Sequence, residues 1–188
     1  MPTQPGTKEL LEGGIVPYFE AVRALRAFRK EVLKQSREAL KGKLPEMSTA
    51  LHVRKGLRPE GIRNQALPNL DPNSVSEDDY TDLCAFLEIG SDCELYVGLE
   101  WKRDAESGEI EPWAIADLAV PRVKCDKYWE NLTRRYPDLH RERNEIYIQE
   151  RCRRDQVVKL QVKLERFLDR WCVIWRKTGG IAAITRKA

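Results

Sequence analysis

The stretch Cys93-Glu-Leu-Tyr-Val-Gly-Leu-Glu-Trp-Lys102 decides the fold. In it Cys93, Leu95, Val97, Leu99 and Trp101 alternate with Glu94, Tyr96, Gly98, Glu100 and Lys102. A period of two over ten residues is a strand with one face buried and one face wet. Upstream, Leu83, Ala85, Leu87 and Ile89 alternate in the same way, and Gly90-Ser-Asp92 supplies a turn between the two runs. Ser76-Glu-Asp-Asp79 carries the acids of a helical first turn, so a short helical turn over 76–81 feeding a strand over 82–89 is expected. Downstream, Glu106-Ser-Gly-Glu109 is a second turn, and residues 113–120 read as a third strand closed by Pro121. Strands joined by such short turns make an antiparallel meander.

Helices flank this meander. Ile15, Phe19, Val22, Leu25, Phe28, Val32, Ala39 and Leu40 recur at helical steps, which predicts a helix over 15–42 ended by Gly42 and Pro45. Its other face is basic, with Arg23, Arg26, Arg29, Lys30, Lys34, Arg37 and Lys41. A short strand is expected over 49–54 and a Pro-, Asn- and Gly-rich loop over 56–76. A second helix is expected over 123–136 and a last strand over 145–149. In the third helix, over 155–177, Val157, Leu160, Leu164, Phe167, Trp171 and Ile174 step by three and four up to Gly179. The expected fold is α+β: an antiparallel sheet of four to five strands packed by three helices in two layers. Residues 1–14 read as a polar N-terminal tail, 15–179 as a single domain, and 180–188 as a C-terminal tail.

Charge is sorted along the 188 residues. Residues 1–70 carry 13 Lys/Arg against 7 Asp/Glu, residues 71–118 carry 2 against 14, and residues 119–188 carry 18 against 9. The formal net charge of +3 therefore hides an acidic middle between basic flanks. Cys84, Cys93, Cys125, Cys152 and Cys172 are odd in number and contain no C-x-x-C, so they read as buried reduced thiols, not as a disulfide framework or a zinc site. No apolar run has the length of a bilayer span, and the first residues lack a secretory core. A cytoplasmic protein without a membrane anchor is expected.

If the turn at 90–92 is tight, Glu88 lies opposite Glu94 and Asp82 opposite Glu100, on the face that carries Lys102. Like charges directly opposite destabilise a sheet unless a cation lies between them. Asp117 lies within an apolar run; one strand register puts it on this face as a third acid, and the other puts it in the core. Asp82 with Glu100-Trp-Lys102 resembles the PD-(D/E)xK arrangement of restriction-endonuclease-like nucleases, although no Pro precedes Asp82 and an added strand follows Lys102. The resemblance implies catalysis by Asp82, Glu100 and Lys102, with Mg²⁺ or Mn²⁺ held by Asp82, Glu100 and Asp117. Without that resemblance no cofactor is expected.

Two non-catalytic readings stand beside it. The first is a protein-binding or regulatory domain, whose acidic sheet face meets a basic partner or another copy of the chain. The second is a nucleic-acid-binding module using Arg23, Arg26, Arg29 and Lys30 of the basic helix. Trp175, off the main stripe of the last helix, is a candidate contact residue. The Arg-rich segment 134–154 is interrupted by Asp138, Glu142, Glu145 and Glu150, which favours ion pairs within the chain. There is no phosphate-binding Gly loop, no nucleophile elbow and no H-E-x-x-H. The reading that leads is the non-catalytic interaction domain.

Overall fold

The computed structural model describes residues 7–65, 82–89, 93–103, 110–120, 126–142, 145–152 and 154–180. Two compact units divide the chain, residues 1–31 and 32–188. The first helix, α1 (Thr7–Ala50), begins in one unit and ends in the other. It starts earlier than the sequence reading expects and runs straight through Gly42 and Pro45. It also takes in the start of the expected 49–54 strand, the rest of which forms a turn.

Packing explains why the helix does not stop. Proline costs roughly 3 kcal/mol in a helix interior and glycine about 1 kcal/mol. Against that, Leu40, Met47, Ala50 and Leu51 are fully buried and Leu44 nearly so. Each large apolar side chain of this kind contributes about 1.5–3 kcal/mol on burial. The Ser48 and Thr49 hydroxyls donate to the carbonyls of Leu44 and Pro45, at 2.7 and 3.0 Å. His52, with a positive φ of 56°, then turns the chain out of the helix.

The sheet of the second unit has six antiparallel strands in the order β1-β2-β3-β4-β6-β5. They are β1 (Ile62–Asn64), β2 (Asp82–Glu88), β3 (Glu94–Arg103), β4 (Ile110–Ala119), β5 (His140–Glu142) and β6 (Glu145–Arg151). The expected count of four to five strands misses the two edge strands, β1 and β5. β1 lies within the stretch expected to be loop. The expected helical turn at 76–81 falls outside the described residues. Helix α2 (Asp126–Arg135) and helix α3 (Leu160–Thr178) complete the unit, α3 being preceded by a 3₁₀ segment.

One face of the sheet is the core. Leu83, Ala85, Leu87, Leu95, Val97, Leu99, Ala114, Ala116, Leu118, Ile146 and Ile148 form a single cluster with side chains of all three helices. Trp171 and Trp175 of α3 stack with ring centroids 5.5 Å apart, and the Trp171 indole N–H donates to the Ala116 carbonyl at 3.2 Å. Trp175 is 1% exposed, so it belongs to this core and does not serve as a surface contact.

Ion pairs tie the layers at their rims. Asp138 accepts from Nε and Nη2 of Arg170, each at 2.6 Å, and Lys163 reaches Glu150 at 2.6 Å. The acids within the Arg-rich segment are thus partly spent inside the chain. Cys84, Cys93, Cys152 and Cys172 are buried thiols. Among the described residues no helix is long and apolar enough to cross a membrane.

Two glycines behave in opposite ways. At Gly42 an added Cβ meets only Glu165 Oε1, at 3.8 Å. Gly42→Ala is expected to stabilise the protein by about 0.5–1 kcal/mol in urea unfolding, since it narrows the unfolded ensemble and favours the helix. At Gly98 an added Cβ clashes with the Leu83 carbonyl oxygen and lies 2.7 Å from Cys84 Cα, both main-chain atoms of the neighbouring strand. Gly98→Ala is expected to destabilise by about 1–3 kcal/mol in the same experiment.

Candidate functional site

The period of two in β3 sends Glu94, Tyr96, Gly98, Glu100 and Lys102 away from the core. Cross-strand pairing then decides what they meet. Asp82 pairs with Glu100 and Glu88 with Glu94, so the expected carboxylate pairs are opposite one another in the sheet. Asp117 pairs with Tyr96 on one side and with Tyr147 on the other. This register places Asp117 on the Glu100 face and settles the choice that the sequence leaves open. Strand β6 adds Glu145, Tyr147 and Gln149 to that face, and β5 adds His140 and Glu142.

A concavity of about 170 Å³ opens on this face. Its lining includes Tyr96, Glu100, Lys102, Asp117, Glu142, Glu145 and Tyr147, with Cys84 and Ile115 beneath. Tyr96 stacks on Phe86 at 5.3 Å, and Tyr147 stacks on His140 at 5.5 Å. Aromatic rings therefore stand along the sheet with carboxylates between them. Gly98 lies at the middle of the same face, where a side chain would collide with β2.

Lys102 is committed within this arrangement. Its ammonium donates to Gln149 Oε1 at 2.7 Å, stands 3.0 Å from Glu100 Oε2 and lies 4.9 Å over the Tyr147 ring. Glu100 Oε2 is buried and makes no aligned hydrogen bond, so its link to Lys102 is a charge contact. An ammonium held between a carboxylate and a tyrosine face is a cation–π site with a counter-charge.

Electrostatics agree with that geometry. Burial raises the Tyr96 phenol pKa above its ordinary value, and the hydrogen bond it donates to Glu94 and the charges of Glu94 and Asp117 raise it further. Burial likewise raises Tyr147; Lys102 opposes the shift, while Glu142, Glu100 and Asp117 add to it. Both phenols are neutral donors at neutral pH and poor bases.

Among the described residues no group of three His, Cys, Asp or Glu side chains converges as a metal site. The structure pairs the main-chain positions of Asp82 and Glu100, with Lys102 two residues on, while Asp117 shares their face four residues along β4 from the partner of Glu100; the side chain of Asp82 lies outside the described residues. Arg23, Arg26 and Lys30 are exposed on α1 and Arg29 is half-buried. The sequence reading took Glu142 and Glu145 only as acids interrupting the Arg-rich segment and did not place them or Tyr147 on this face. The alternation of Glu145, Tyr147 and Gln149 with Ile146 and Ile148 was the available signal, but not the neighbour that β6 would choose.

No protein-family model, no curated protein and no solved structure matches this chain. Fold and site define an α+β domain with a helix-covered sheet face and an opposite face that is acidic and aromatic.

The raised Tyr96 pKa has a consequence at high pH. Folding holds the phenol protonated where the unfolded chain ionises, so this contribution is intact below about pH 10 and is lost as pH rises beyond it. Stability measured by urea unfolding is expected to fall between pH 9.5 and 11, and Tyr96→Phe is expected to flatten that fall.

Proposed function

We infer that the protein is a non-catalytic interaction domain whose acidic, tyrosine-lined sheet face takes a basic segment of a protein partner. The observation that carries this reading is the concavity of Glu100, Asp117, Glu142 and Glu145 between Tyr96 and Tyr147. At about 170 Å³ it suits one long side chain and falls below the roughly 300–1,000 Å³ of small-molecule sites. A guanidinium or ammonium entering it meets carboxylates for charge and rings for stacking. Charge-assisted hydrogen bonds of this kind are worth about 1.5–3 kcal/mol each, so the loss of one carboxylate is a change of roughly 10- to 100-fold in affinity.

Titration with a fluorescent hexa-arginine peptide tests the reading, with hexa-glutamate as the control ligand. Glu100→Gln and Asp117→Asn are expected to weaken hexa-arginine binding at least tenfold, whereas Glu46→Gln on α1 leaves it within twofold. Equal weakening by all three variants would mean that the peptide answers only to net charge, and the proposal would fail.

A second reading is kept because Asp82 pairs with Glu100 while Asp117 shares their face. It is the metal-dependent nuclease using Asp82, Glu100 and Lys102. Its test is thermal unfolding of wild type and Glu100→Ala with and without millimolar Mn²⁺. A cation present at 100 times its dissociation constant adds about 2.7 kcal/mol to stability. The nuclease reading expects a rise in melting temperature for wild type alone, and the interaction domain expects none for either protein.

A further inference from the structure

The pairing register draws one row across the sheet of the second unit. Phe86 of β2 pairs with Tyr96 of β3, Tyr96 with Asp117 of β4, Asp117 with Tyr147 of β6, and Tyr147 with His140 of β5. Paired residues share a face, so a carboxylate stands in this row with a tyrosine on each side. Each tyrosine is backed by an outer ring. Phe86 stacks on Tyr96 at 5.3 Å and 29°, and His140 stacks on Tyr147 at 5.5 Å and 24°. An aspartate side chain is much shorter than a tyrosine, so a group that reaches Asp117 from solvent passes between two rings. Two residues along β4 the face carries only the small Ala119, and the β6 partner of Ala119 is Glu145, which also lines the concavity. The other end of the concavity, at Glu100, is filled from within. There the Lys102 ammonium lies 3.0 Å from Glu100 Oε2, donates to Gln149 Oε1 at 2.7 Å and stands 4.9 Å over the Tyr147 ring. A cation arriving from outside is left the Asp117 end.

We propose, resting on the interaction-domain reading, that the partner's basic side chain is an arginine in preference to a lysine, its guanidinium on Asp117 between Tyr96 and Tyr147. The two cations differ in ways this end of the concavity distinguishes. A guanidinium is planar and weakly hydrated, so it gives up water cheaply and stacks on a ring face, whereas an ammonium is a compact, strongly hydrated point charge. Its fork places two parallel hydrogen bonds on one carboxylate. Glu145 is the diagonal neighbour of Asp117, with main-chain positions about 7–8 Å apart, so the remaining N–H groups have a second carboxylate within reach. Five donors in a flat fork serve both acids, while an ammonium offers three donors from a single nitrogen. The rows of rings on either side of Asp117 therefore add to the binding of arginine and add little to that of lysine.

Titration of the full chain with fluorescent hexa-arginine and hexa-lysine, equal in length and charge, tests this. Wild type is expected to bind hexa-arginine at least tenfold more tightly than hexa-lysine. Tyr147→Leu, which lacks the ring, is expected to bring the two affinities within threefold, chiefly by weakening hexa-arginine. Tyr147→Phe keeps the ring and is expected to keep the tenfold preference, a rescue that general damage to the sheet would not show. Should Tyr147→Leu fail to fold, Tyr96→Leu removes the ring on the other side of Asp117 and is read in the same way. Equal affinities for the two peptides in wild type, or a preference that survives loss of the ring, would overturn the choice of arginine and leave the face a site for basic segments in general. If neither peptide binds, the interaction-domain reading itself falls, and the arginine site with it.

Discussion

The structure depends on how closely α3 can approach the sheet. Trp171 and Trp175 are the largest side chains in the core, and they need a shallow surface to lie on. Ala114 and Ala116 of β4 supply it, and the Trp171 N–H reaches the Ala116 carbonyl at 3.2 Å. Larger residues on that strand would lift the helix and lose both the hydrogen bond and the dispersion contacts of two indole rings. Leu and Ile side chains of β2, β3, β4 and β6 share one buried cluster with the tryptophans, and Leu40, Leu44 and Met47 of α1 belong to it too.

That demand sets the character of the opposite face. A strand cannot turn one set of side chains inward without turning the alternate set outward. Since β2 to β4 come from the acidic middle of the chain, the outward set is rich in carboxylates. Like charges across a sheet are unfavourable, and the structure offsets them with Lys102, with neutral phenols and with hydrogen bonds such as that from Tyr96 to Glu94. On this face Lys102 joins the Glu100 carboxylate, the Gln149 amide and the Tyr147 ring.

Much of this was legible before any coordinates. The alternation in 93–102 predicts β3 and its two faces, and with the turn at 90–92 it predicts Asp82 opposite Glu100, as found. The stepping of Leu160, Leu164, Phe167 and Trp171 predicts α3. Other features were not legible, for identifiable reasons. Gly42 and Pro45 are honest local stop signals, overruled by tertiary burial that no local pattern contains. Strands β1 and β5 have three residues each, too few to show a period. The position of Asp117 depends on which residue of β3 it faces. The meeting of Tyr147 with Asp117 depends on β6 entering beside β4 and not beside β5 alone, a choice made by the whole sheet.

The sorted charges take on meaning only at this point. In the chain they are three blocks; in the folded second unit Glu88, Glu94, Glu100, Glu111 and Asp117 of the middle block lie on the open sheet face, while many basic residues lie on helices that pack the other face. Short intramolecular pairs such as Asp138 with Arg170 and Glu150 with Lys163 use some of the basic surplus. Pairs made on the sheet itself, Arg63 with Glu88 and Arg151 with Glu111, place further basic side chains beside these acids without any of them crossing the core.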